Sequence, residues 1–335
     1  MSTADRRGPA RPGARGFSLI ELVATVSIVA LMTLVIERTI SGVTENERTM
    51  RAIRNTSERG QRAAFRVRGL VSSARKVYQD DTVGQGYLQR LAIPTGTPIL
   101  PGSRMPKFDE IGALAPDAAG DPRTGNMLLF VREADPLPCM ANAATKKTRL
   151  VDTYRFCLVH LTATSRTLVA GGSPALDLVE WRSVVFPSYP QVMAITDATE
   201  RSRVVAELYN RYDVDYLWDV SKPVTSAFYA IDGVGTVAAS PSTPTTIPRD
   251  ANVARAGSMV PANIAVAYTD MASSPRKPVF TVDAPATWTP HGFETKVVGP
   301  SGSRKIWMRL TVEQQAGKGR VPAHQTAVVA TTRDA

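Results

Sequence analysis

Residues 17–36 read FSLIELVATVSIVALMTLVI, twenty positions that are apolar almost throughout and carry one ionisable side chain, Glu21. At 1.5 Å rise per residue a helix of that length crosses the hydrocarbon core of a bilayer, so the run predicts a membrane span. Past Ile36 the apolar positions thin to a stripe. Ile40, Val43, Met50, Ile53, Ala64, Val67, Val71, Ala74 and Tyr78 recur at three- and four-residue steps or sums of them, the period of an amphipathic helix. No proline interrupts residues 13–93. The pattern predicts one helix over 17–78, about 90 Å long, with its first part, 17–36, in lipid. Gly42 and Gly60 weaken it by about 1 kcal/mol each relative to alanine and mark candidate bends. A carboxylate inside a span is costly. Glu21 therefore either snorkels to the headgroups or is buried against a positive partner.

Beyond Asp80 the period changes to short β-rich runs between turn residues. Strands are expected at 127–132, 154–162, 176–186, 226–231, 264–268, 305–313 and 326–331. With the helix they predict an α+β fold, a long N-terminal membrane-spanning helix packed on a β-rich antiparallel-sheet head over 79–335. The stretches 94–123 and 236–248 are rich in proline, glycine, serine and threonine and read as loops; the second could separate two subdomains. Gly317-Lys318-Gly319 closes a hairpin between the last two strands.

Composition narrows the function. At 43% apolar and 21% charged residues the chain reads as folded rather than disordered. The net charge of +10 is uneven. Four arginines face one aspartate in residues 1–16, and ten basic residues face four glutamates in 37–76. Nucleic acid is not an expected partner, because Phe65 is the only aromatic residue within that second stretch before Tyr78. The basic stretch reads instead as a solvated helix face meeting acidic neighbours or anionic headgroups. His160, His291 and His324 are far apart and match no metal-ligand spacing, so neither a metal nor another cofactor is expected. Asp213, Asp215 and Asp219 offer oxygen ligands but lack the glycine turn and terminal glutamate of a calcium loop. No nucleophile, acid and base fall together, and the chain is not read as an enzyme. Cys139 and Cys157 form either one bridge or two free thiols, depending on compartment.

The run Arg15-Gly16-Phe17-Ser18-Leu19-Ile20-Glu21-Leu22-Val23 resembles the processing site of type IV prepilins and the related type II secretion pseudopilins. The resemblance covers about 60 residues: basic leader, motif and long helix. It implies a leader over 1–16 removed between Gly16 and Phe17, methylation of the new amine on Phe17, and a role for Glu21 in subunit assembly. A proline common in the membrane helix of major pilins is absent, and Arg38 stands near its place. The implied fold is pilin-like, with an inner-membrane single pass and the head in the periplasm. In that compartment a Cys139–Cys157 disulfide is expected, with two buried thiols as the alternative.

The resemblance implies a minor pilin of the PilW-like group, stored in the membrane, that primes or caps a type IV pilus. A segment of 79–335 is large for the main repeating subunit of a thin fibre. A J-like minor pseudopilin of a type II secretion system, and a membrane-anchored adhesin or binding module, stay open. Implied partners are a prepilin peptidase, other minor and major pilins or pseudopilins, an inner-membrane assembly platform and the membrane itself.

Overall fold

The computed structural model describes residues 18–112, 114, 117–118, 121, 123–142, 144–167, 174–251, 265–266, 292–314 and 323–332. The chain divides into two units, Met1–Met50 and Arg51–Ala335. Helix α1 (Leu19–Ser72) is continuous through Gly42 and Gly60. In the second unit its buried stripe is Ala52, Thr56, Gly60, Ala63, Ala64, Val67, Leu70 and Val71. Gly60 is a point of close approach rather than a bend. A Cβ there would stand 2.7 Å from Cγ2 of Val312.

The helix ends six residues before the expected Tyr78. After Ser72 the chain turns into β1 (Ala74–Val77), which pairs antiparallel with β3 (Leu128–Asn142). A register shift between Ala74 and Lys76 lets Ala74 and Val77 both be buried. That bulge converts a strand into a three-residue apolar spacing, which reads as helix in the sequence.

After the short helix α2 (Thr82–Leu88) and β2 (Phe108–Asp109), β3 and β4 (Lys147–Thr167) form a long hairpin. β5 (Pro174–Arg182) follows on β4, and β6 (Phe186–Pro187) pairs with β4 further along. Helices α3 (Tyr189–Met193) and α4 (Ala198–Tyr212) precede a two-stranded ribbon of β7 (Tyr216–Trp218) and β8 (Phe228–Ala230). β9 (Ala265–Val266) bridges β5 to β11 (Arg304–Glu313), which also pairs with β10 (Phe293–Val298) and β12 (Ala323–Thr332). The sheet runs β1-β3-β4-β5-β9-β11-β10-β2, with β2 parallel to β10. Gly125, just before β3, exchanges two backbone hydrogen bonds with Thr295 of β10, at 2.9 and 2.8 Å. The hydrogen-bonded path thereby returns on itself from β10 to β3.

Each expected strand falls on a strand or its described part, and 94–123 and 236–248 are largely irregular. Neither stretch is loose. Ile247 is fully buried and its N–H donates to Arg90 O at 2.6 Å. Asp117 forms a buried ion pair with Lys296 at 2.9 Å and accepts the N–H groups of Arg123 and Thr124 at 2.8 Å each. The α4 helix was not expected, although Asp197, whose carboxylate caps Thr199 N and Glu200 N, is an N-terminal cap.

The α1 stripe shares a core with alternate residues of the sheet, among them Phe130, Val159, Leu178, Leu310 and Val328. The opposite alternation packs an aromatic core around Tyr87, Phe156, Trp181, Trp218 and Phe228. Trp218 Nε1 donates to Tyr87 Oη at 3.2 Å, and burial pushes the Tyr87 hydroxyl upward in pKa. A third core seats α4 through Val204, Val205 and Leu208 beside Cys139.

Candidate functional site

The first turns of α1 carry the strongest chemistry in the chain. Large apolar side chains from Leu19 to Ile36 are 48–83% exposed, so nothing described in the chain covers them. The exposure runs around the whole helix rather than along one face, the pattern of a segment whose solvent is lipid or other helices. The few polar groups are satisfied internally. Thr25 Oγ1 donates to Glu21 O at 2.7 Å, Ser27 Oγ to Val23 O at 2.8 Å and Thr33 Oγ1 to Val29 O at 2.9 Å. Each hydroxyl returns to the carbonyl one turn back, so none presents an unmet donor to an apolar surrounding. This is the one helix long and apolar enough to cross a membrane among the described residues.

Glu21 stands in a capping box. Ser18 N donates to Glu21 Oε2 at 3.0 Å, and Glu21 N donates to Ser18 Oγ at 3.2 Å. The two residues satisfy each other's orphan N–H groups at the helix start. The S-x-x-E spacing was in the sequence and announces this arrangement. It places the carboxylate against the backbone that leads to Phe17, with Oε1 left for a further donor. Gly16 and Phe17 lie outside the described residues.

Comparison with protein-family models, curated proteins and solved structures finds no match. The α+β architecture and the candidate membrane helix rest on the chain's own geometry.

The other residues singled out do not converge. A Cys139–Cys157 bridge is ruled out by the register: Cys139 sits opposite Arg149 and Cys157 opposite Phe130. Eight positions along β4 set them about 26 Å apart, against the roughly 7 Å limit between Cα atoms of a disulfide. Both are free and buried, in different cores. The hairpin is longer than the sequence suggested, with Cys139 inside β3 rather than past its end. Asp213 is exposed and ends α4 in a left-handed conformation at φ 56°. Asp219 is buried and accepts from Ser221 N at 3.0 Å and Ser221 Oγ at 2.7 Å. Asp213 and Asp215 line a surface cleft of about 350 Å³ with Val184, Phe186, Tyr216 and Pro248. Among the described residues no three acidic, histidine or cysteine side chains gather as a metal site.

Proposed function

We propose that the chain is a minor pilin, made as a membrane-inserted precursor, cleaved between Gly16 and Phe17 and methylated on Phe17. It waits in the inner membrane with its β-rich region in the periplasm, then joins other pilins to prime or cap a type IV pilus. One observation carries the reading: a G-F-S-L-I-E motif opens a helix whose first turns are apolar and exposed all round, while its later turns are built into a β-sheet core. Such a helix is stable in lipid and can exchange lipid for like helices on assembly. The capping box holds the Glu21 carboxylate at the helix start, where the amine of a neighbouring subunit's Phe17 would neutralise it.

The test is deletion of the gene, shearing of surface filaments and mass spectrometry of the wild-type filaments. Loss of filaments on deletion, with the protein scarce in wild-type filaments and beginning at a methylated Phe17, is the expected result. Normal filaments with failed protein secretion would move the chain to a type II secretion pseudopilus. Intact Met1 on assembled protein would overturn the processing claim.

A further inference from the structure

The long edge of the main sheet is open. β12 pairs with β11 along ten consecutive positions, from Ala323 opposite Glu313 to Thr332 opposite Arg304, without a register break. Among the described residues its other edge has no backbone partner. The sheet's other margins are short. β1 has four residues and a bulge, and β2 and β6 have two residues each.

Exposed edges are normally guarded by lysine, proline, inward charges or bulges, because a row of free N–H and C=O groups recruits strands. β12 reads AHQTAVVATT. It holds no lysine, arginine, carboxylate, proline or glycine. Val328 and Ala330 face the α1 core, while Ala323, Gln325, Ala327 and Thr331 are exposed. The edge is regular, uncharged and accessible, the opposite of a guarded one.

We propose that β12 accepts an extended segment of a different polypeptide, uncharged and alternating small with β-branched residues, as an added strand. Main-chain hydrogen bonds would supply affinity, and the lack of charge on β12 selects an uncharged partner because a charged one would be desolvated without a counterpart. A second copy is the other occupant to weigh. Two copies joined edge to edge at β12 pair antiparallel about a two-fold axis normal to the sheet. That axis would run their sheet-packed helix segments in opposite directions, whereas chains held in one membrane by the same helix run them in one direction. This choice of occupant rests on the membrane-anchored reading above; the open edge does not.

The test uses the full chain in detergent micelles and a synthetic acetylated peptide of ten alternating threonines and valines, with a lysine added at each end. With peptide at about 1 mM, amide hydrogen exchange over Ala323–Thr332 is expected to slow tenfold or more, with no change over Phe293–Val298. Unchanged exchange over β12, or equal slowing over both strands, overturns the proposal. Sedimentation without peptide separates the two premises. A monomer supports a different polypeptide as occupant, and a dimer that the peptide dissociates places a second copy on the edge and overturns the choice.

Discussion

Arg66, on the helix, donates from Nη2 to Oε2 of Glu180, on β5, at 2.7 Å, and Glu180 is almost fully buried. Its other oxygen is held by Arg182 of the same strand. A buried carboxylate that keeps one guanidinium is tolerable, and one that loses both is not. Arg66→Met should therefore cost about 1–2 kcal/mol in denaturant unfolding. Arg66→Met combined with Arg182→Met should cost about 3–5 kcal/mol. Additive small losses would mean that the carboxylate reaches water and that the helix is fastened by apolar packing alone.

The two thiols are expected to be inert. Burial, reinforced by Glu207, pushes Cys139 up to about 12, and burial pushes Cys157 up to about 11. Both stay protonated at neutral pH, and the thiolate is the reactive form. Iodoacetamide should leave the folded chain unlabelled and modify both residues once it is unfolded. A peptide map of native protein containing a Cys139–Cys157 bridge would contradict the β3–β4 register.

His160 makes stability depend on pH. Its Nδ1 lies 3.2 Å from Leu161 O, Nε2 has no partner among the described residues, and burial lowers its pKa to about 4. Between that value and the ordinary 6.5 the unfolded chain binds a proton that the folded chain refuses. Stability contributed by the neutral ring is present above about pH 6.5 and is lost as pH falls toward 4, by at most about 3 kcal/mol. Urea midpoints measured from pH 7.5 to 4.5 should fall more steeply for the wild type than for His160→Leu. Parallel curves would show that the imidazole is accessible to protons when folded.

How far the sequence reaches depends on which side of a residue pattern water normally occupies. The span and the amphipathic stretch of α1 were legible because their periods are simple and the helix needs no partner to announce itself. β10 was not, since Glu294, Thr295 and Lys296 read as solvent-facing yet are buried, with Glu294 paired to Arg309 and Lys296 to Asp117. β1 was hidden by its bulge, and the meaning of Gly60 by a strand, β11, that lies some 250 residues further along the chain. At the candidate site the motif was legible, but only the S-x-x-E geometry reveals that Glu21 already has a local task.

That double duty decides how Glu21 should be tested. Glu21→Leu removes the charge and the acceptor for Ser18 N together, so a defect in it could arise from a frayed helix start. Glu21→Gln keeps an oxygen acceptor at the same reach and can preserve the capping box, at a cost well under the roughly 1 kcal/mol of losing a cap. Only the negative charge disappears. If that charge meets the amine of a neighbouring Phe17, both variants should be cleaved after Gly16, remain in the membrane and enter filaments at least tenfold less than wild type. Glu21→Asp, charged but shorter, should fall between them and wild type. Filament yield, processing and membrane level measured side by side give the answer. Wild-type incorporation of the Gln variant beside failure of the Leu variant would assign Glu21 to the helix cap alone and refute the intersubunit pair.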